Sequence, residues 1–432
     1  MNPPSTPIDR RVFLKGATGL VAAPTFARFQ AGAANDAELR VALVGCGGRG
    51  TGAAVQALNT GNVRLVAMAD AFVDRLEGSR SSIAEAHPEK VDVPAERRFV
   101  GFDAYQRAID EDVDVVVLAT PPGFRPEHFR YAVEKGRHVF MEKPVAVDAP
   151  GVRTVLEAAA AAKDKKLCVG VGLQRHHSFK YQDTIRAIQD GAVGRPILLR
   201  VYWNSAGVWV KPRRPQWNEM EYQMRNWYYF NWLCGDHIVE QHIHNLDVGN
   251  WVMGRTPIKA RGMGGRGVRT GSEHGEIYDH FSVEYEYDDG TRMLSQCRHQ
   301  PQVWNSVSEH IQGSEGAGNI GRGALETYAG ETWRFEGEDS AHYQREHDVL
   351  FEAIRTGREH NEAELGAMAT MTAVLGRMAT YSGQEVTWDE ALASTEILAP
   401  EASPLTWDAV PRSLPGPDGR YPIPTPGQYR VV

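Results

Sequence analysis

Cysteine is scarce: four residues in 432, at Cys46, Cys168, Cys234 and Cys297, with no C-x-x-C pair among them. That spacing excludes a disulfide framework, and each cysteine falls in a segment patterned as core, where it serves as a small hydrophobe. Long apolar runs are missing too. No stretch approaches the roughly 18–20 residues that cross a bilayer, which excludes an integral membrane segment once the N-terminal signal described below is removed. Positive charge is not in excess either, since 47 Lys+Arg stand against 55 Asp+Glu for a formal net charge of -8. That sign argues against nucleic acid as a partner, because neutralising phosphates needs a basic face. What is present is ample: 42% hydrophobic residues over a length worth two or three domains at roughly 100–200 residues each.

The N-terminus reads as a targeting segment. Arg10-Arg11-Val12-Phe13-Leu14-Lys15 is a twin-arginine pattern, followed by a weakly hydrophobic run from Gly16 to Phe26 and the small residues Ala31-Gly32-Ala33-Ala34. Asp9 stands where Ser or Thr is usual, so a disordered basic tail is the alternative. As a twin-arginine export signal, residues 1–33 predict a periplasmic protein exported already folded, or one membrane-associated through an uncleaved signal. Folded export suits a chain that must acquire a cytoplasmic cofactor first.

From Glu38 the pattern is strand, glycine turn, helix, strand. Residues 39–44, 62–70, 113–120, 138–141 and 167–171 are short apolar runs of the kind buried on both faces of a parallel sheet. Helical segments separate them, notably 126–135 and 152–162, which predicts a doubly wound Rossmann domain over 38–175. Beyond about residue 195, strands follow one another at 196–204, 258–263, 277–287 and 291–298, the last two joined by Asp288-Asp289-Gly290. Residues 176–398 are thus predicted as a second α/β domain with an open, mostly antiparallel sheet, covered by helices over 236–253, 342–356 and 362–382. The Pro/Gly-rich end, 399–432, reads as a tail draped over the surface.

Gly45-Cys46-Gly47-Gly48-Arg49-Gly50 fits G-x-G-x-x-G between the first strand and a helix. The first glycine permits the tight turn, the second lets the backbone approach a pyrophosphate, and the third allows close helix–strand packing. The helix N-terminus then offers free N–H groups to the phosphates. Asp70 ends the next strand 20 residues later, where a carboxylate accepts from both ribose hydroxyls and repels a 2′-phosphate. Together they favour NAD over NADP. Met141-Glu142-Lys143-Pro144 closes another predicted strand at its C-terminal end, where ligands bind in open α/β sheets. Burial and a positive neighbour can lower the pKa of a lysine there enough for proton relay.

In order and spacing, the glycine fingerprint, Asp70, Thr120-Pro121-Pro122, Glu142-Lys143-Pro144 and Gly170-Val171-Gly172-Leu173-Gln174-Arg175 resemble the Gfo/Idh/MocA oxidoreductases, over about residues 38–395. The resemblance implies a Rossmann domain followed by an α/β domain whose open sheet forms oligomer interfaces, hence a homo-oligomer, dimer or tetramer. It implies Lys143 as a substrate-contacting catalytic residue before a cis proline. It also implies a cofactor shell of Gly45, Gly47, Gly48, Arg49, Gly50, Asp70, Thr120, Pro121, Glu142, Lys143 and Gln174, with Arg175 near the substrate.

At 100° per residue, His237, Glu240, His244 and Asp247 fall on one face of a helix, while His242 points nearly opposite and reads as structural. The family pattern places the catalytic histidine at His244 and an Asp at Asp247. Glu240 stands where the family has Asp, so its longer arm either hydrogen-bonds a sugar hydroxyl or orients His244; His237 joins the substrate contacts. A metal held by His237, Glu240 and His244 is chemically feasible, but the spacing is no established zinc pattern, and we assign no metal. Residues 202–232 hold five of the ten tryptophans. Trp209 and Trp227 would stack on pyranose rings, with Arg213, Arg214 and Arg225 interleaved, or the segment simply packs an insertion or an oligomer contact.

These features predict an NAD-dependent oxidoreductase acting on a CH–OH group of a sugar, glycoside or cyclitol, with the cofactor tightly bound. Two alternatives stay open: a glycosidase that uses NAD transiently, and a non-catalytic dinucleotide-binding sensor.

Overall fold

The computed structural model describes residues 37–399 and 405–431; the twin-arginine pattern lies outside them. In the first domain β1 (Leu39–Val44), β2 (Val63–Asp70), β3 (Arg98–Val100), β4 (Val115–Leu118), β5 (His138–Met141) and β6 (Val169–Val171) form one parallel sheet in the order β3-β2-β1-β4-β5-β6. All four residues of β4 and three of the four in β5 are buried, as expected of strands covered by helices on both faces. The strand order reverses between β1 and β4, and the crevice at their C-terminal ends is where open α/β sheets take ligands. Five of the six strands lie where their apolar runs placed them. β3 was not foreseen, because only Phe99 of its three residues is buried.

The second domain is a nine-stranded mixed sheet of β7 (Pro196–Ser205), β8 (Lys259–Gly265), β9 (His280–Glu286), β10 (Arg292–His299), β11 (Ser306–Gly313), β12 (Gly316–Asn319), β13 (Ala324–Thr327), β14 (Thr332–Arg334) and β15 (Val386–Thr387). Its order is β14-β13-β12-β11-β7-β10-β9-β8-β15, with β7 and β10 parallel and the other pairs antiparallel. β7 to β10 match expectation, whereas β11 to β15 were not foreseen. Helix Ala363–Ser382 packs against β8 and β9 on one side and against the Rossmann helix Ala149–Asp164 on the other. This double contact is why its sequence is apolar nearly all round.

Two helix expectations need correction. Helix His342–Thr356 does not cover the second sheet: Leu350, Phe351 and Ala353 sit in the Rossmann core with Val41, Leu43 and Phe140. The segment 236–253 is not one helix but two, His237–Glu240 and Ile243–Met253. The break is a local widening in which the N–H groups of both Gln241 and His242 bond the carbonyl of His237. That extra residue per turn, a π-type step, rotates everything after it. The end of the chain is also more than a surface drape, since Tyr421 and Val431 are buried and Trp407 packs on Phe72 and Phe102.

Candidate active site

The glycine turn holds the positions that only glycine fills. Gly45 has φ +98°, and a Cβ there would lie 2.5 Å from the Ala119 backbone; a Cβ on Gly50 would lie 1.9 Å from the Gly45 carbonyl. Gly47 and Gly48 have nothing within 4 Å on that side, which leaves the approach open for a phosphate. Helix Gly48–Asn59 starts here without a side-chain cap, so its first N–H groups are free for an anion. Asp70 Oδ2 accepts from Cys46 N (2.7 Å) and Oδ1 from Phe72 N (2.9 Å). Burial raises its pKa, and those two N–H groups and Arg75 oppose the shift.

These groups line a cavity of about 470 Å³ with Arg49, Thr120 and Pro121. Its far wall comes from the second domain: Trp209, Lys211, Met224, Arg225 and Trp227. Arg225 fastens that wall down, bonding Asp74 at 3.2 Å and lying 4.0 Å over the Phe72 ring. Shape, free helix N–H groups and a carboxylate at the end of β2 fit a dinucleotide.

A second cavity of about 350 Å³ shares Arg49, Thr120, Trp209 and Trp227 with the first. Glu142, Lys143, Gln174, Arg175, Glu240 and His244 all line it. Lys143 precedes a cis proline at the end of β5. Its Nζ donates to the Glu240 carbonyl (2.6 Å) and to Glu240 Oε1 (3.3 Å). Burial raises the Glu240 carboxyl, and Lys143 opposes it. Burial, reinforced by Lys143 and Arg175, holds His244 well below the ordinary imidazole range, so it is neutral at pH 7 and can accept a proton. Among the described residues its Nδ1 is buried without a partner, which leaves Nε2 to serve the cleft. Arg49 pairs with Glu142 and reaches Glu346 at 3.7 Å. Gln174 donates to Tyr343 Oη (3.1 Å), and Arg175 pairs with Glu309.

His237 and Asp247 are not brought into this cleft. His237 is fully buried, its Nδ1 2.9 Å from Asp236 Oδ1 and its ring stacked on His299 at 4.3 Å. Asp247 pairs with His176 Nε2 at 2.8 Å. The widened turn at Gln241–His242 splits the four residues into two pairs, His237 with Glu240 on the helix before it and His244 with Asp247 on the helix after it, so they no longer share one face. His242 is buried and pairs with Ser295 Oγ (2.8 Å). The aromatic segment divides, with Trp209 and Trp227 lining both cavities and Tyr222, Tyr229, Phe230 and Trp232 forming a core of their own. Two more rings of the aromatic segment 202–232 join the cleft wall, Trp203, whose ring stacks on His244 at 6.0 Å, and Tyr228; sequence reasoning missed Gln241 and Tyr343. No sequence motif marks Gln241 or Tyr343.

Residues 39–173 match the family model described as GFO_IDH_MocA, an oxidoreductase family with an NAD-binding Rossmann fold. The chain is 32% identical over 163 residues to inositol 2-dehydrogenase 4 of Saccharopolyspora erythraea, covering 38% of this chain and 44% of that protein. It is 25% identical over 280 residues to inositol 2-dehydrogenase of Rhizobium meliloti, covering 65% of this chain and 74% of that one. The alignment thus spans less than half of the first relative. The aldose-aldose oxidoreductase of Caulobacter crescentus superposes with a TM-score of 0.64 at 19% identity, over 81% of this chain and 100% of that one, which is a likeness of fold.

Proposed function

We propose that this chain, whose NAD-binding Rossmann domain is that of the Gfo/Idh/MocA oxidoreductases, oxidises a hydroxyl carbon of a sugar, glycoside or cyclitol and keeps its cofactor tightly bound. One observation carries the reading: Lys143 of the first domain meets Glu240 and His244 of the second on a cleft that opens into the glycine-loop cavity. When bound, NAD supplies a hydride acceptor at its nicotinamide. The glycine turn and Asp70 hold the dinucleotide, and Arg49 and Thr120 line the passage between the two cavities. Neutral His244 takes the hydroxyl proton, and Lys143 donates a hydrogen bond to the same oxygen and stabilises the charge developing there. Glu240 fixes the Lys143 ammonium. Trp209 and Trp227 offer apolar faces to a ring, and Arg225 and Trp407 hold the far wall over the nucleotide.

The relatives' names support a polyol substrate, inositol or an aldose. The test is purification without added cofactor, mass analysis for bound NAD(H), and near-ultraviolet detection of reduced nicotinamide against a panel of inositols, aldoses and aryl glycosides. Reduction by a polyol supports the proposal. No reduction by any member, or glycoside cleavage with no reduced cofactor, contradicts it. We propose further that the chain is exported through the twin-arginine route and self-associates through the open face of its second sheet. Cell fractionation and light scattering test these two points.

A further inference from the structure

Among the described residues, every lysine and arginine on the wall of the substrate cleft has a carboxylate of its own except Arg125. Arg49 pairs with Glu142, Lys143 with Glu240 at 3.3 Å, and Arg175 with Glu309. Arg125 lines the same cavity and is 1% exposed. Its Nη2 donates to the Thr120 carbonyl at 2.5 Å, while Nε and Nη1 are buried without a partner. Burial pushes the guanidinium down to about 10, and Glu142 and Glu240 oppose that shift only through space, so it stays charged at neutral pH.

The fold gains nothing from this placement. A buried charge without a partner is expensive. Arg125 is also the first residue of helix Arg125–Glu134, the end whose dipole repels a cation. Two separate costs carried by one side chain on a ligand cavity mark a group whose partner arrives with the ligand. A hydroxyl answers a desolvated guanidinium poorly, because a neutral acceptor leaves the charge uncompensated; a carboxylate neutralises it and accepts its N–H groups. The dinucleotide does not bring that anion, since its phosphates belong at the glycine turn and Arg125 does not line that cavity. A cleft of about 350 Å³ takes a monosaccharide whole, so a carboxylate at Arg125 and a hydroxyl at Lys143 and His244 can belong to one molecule.

We infer that Arg125 receives a carboxylate of the substrate and makes the enzyme selective for sugar acids, uronates or aldonates, over neutral sugars. The inference rests on the reading of this cleft as the place where a hydroxyl carbon is oxidised.

The experiment measures kcat/KM of the NAD-loaded protein for D-glucuronate against D-glucuronamide, and for D-gluconate against D-glucitol. Each pair differs in charge on a shared carbon skeleton, and the two pairs separate a ring-borne carboxylate from an open-chain one. Calorimetric Kd values of the same compounds for the NADH-loaded protein give a readout that needs no turnover. Wild type should favour the acid of at least one pair by ~10-fold or more, as a charge-assisted contact implies, with the neutral compound still oxidised more slowly. In Arg125→Met, which keeps the bulk and removes the charge, that preference should vanish. Acid and neutral compounds handled alike by wild type overturn the inference, whether or not the variant folds. A preference that survives in Arg125→Met overturns it as well, because another group then reads the carboxylate. In either case oxidation of the neutral compounds leaves the oxidoreductase reading intact. A wild-type protein that neither oxidises nor binds any of these compounds, nor any inositol or aldose, sinks both.

Discussion

Lys143 Nζ donates to the main-chain carbonyl of Glu240 at 2.6 Å, closer than to that residue's carboxylate at 3.3 Å. The lysine is therefore aimed by backbone that the glutamate side chain does not control. Replacing Glu240 with Gln should leave Lys143 in place while removing a negative charge beside it. Glu240→Gln should therefore lower kcat/KM by about 10-fold or less, because the carbonyl that aims the lysine stays in place. A loss as large as that of Lys143→Ala would show that the carboxylate, not the carbonyl, sets the lysine.

Cofactor exchange should be limited by Arg225. Its ion pair with Asp74 and its contact with the Phe72 ring tie the wall of the second domain to the Asp70 end of the cavity. Arg225→Ala should release NAD at least ~10-fold faster, as loss of a partly buried, charge-assisted contact implies, with little change in the chemical step. Release rates from preloaded protein, followed by fluorescence on dilution, measure it; equal rates would show that the wall does not hold the nucleotide.

Asp70 should set the preference between the two nicotinamide cofactors. Asp70→Ser removes the charge that would face a 2′-phosphate, and Arg75 lines the same cavity. NADP affinity should rise and NAD affinity fall, by roughly one order of magnitude or more in their ratio. Titration of both cofactors checks the direction, and a ratio that does not move would contradict the placement of the ribose.

Acid should destabilise the fold steeply. Burial, aided by neighbouring cations, holds His128, His242 and His347 down to about 3, whereas an unfolded imidazole titrates near ~6.5. A group whose folded pKa is depressed contributes stability that is complete above its unfolded pKa and is lost as pH falls from there toward the folded one. The melting temperature should therefore be flat above about pH 7 and fall progressively below ~6.5, each histidine contributing up to roughly 1.4 kcal/mol per pH unit. His347→Leu should flatten that slope. A melting temperature independent of pH between 7 and 5 would contradict it.

Much of the first domain was legible in the chain because parallel strands covered on both faces are written as unbroken apolar runs, as in Val115–Leu118. β12 to β14 are three or four residues each and β12 reads Gly-Ala-Gly-Asn, too short to show a period. At the site, the glycines, Asp70, Lys143, Glu240 and His244 were legible because each sits in a spaced motif. His237 and Asp247 were misplaced because a helical wheel assumes an unbroken helix, and no residue at Gln241 or His242 announces the widened turn. Tyr228 was illegible for another reason: in a segment crowded with aromatics, which ring is core and which is wall depends on packing against His299 and Glu240 from distant parts of the chain.

In the proposed reaction Lys143 serves the reacting hydroxyl and not the cofactor. Single-turnover formation of reduced nicotinamide is the decisive measurement, made with wild type and Lys143→Ala preloaded with NAD and mixed with a panel polyol that the wild type oxidises. Lys143→Ala should lose about 10³-fold or more in rate, within reach of what acid–base and oxyanion groups supply together, at nearly unchanged NAD affinity. A variant that reduces its cofactor at the wild-type rate, or one that loses activity only because it no longer binds NAD, would contradict it.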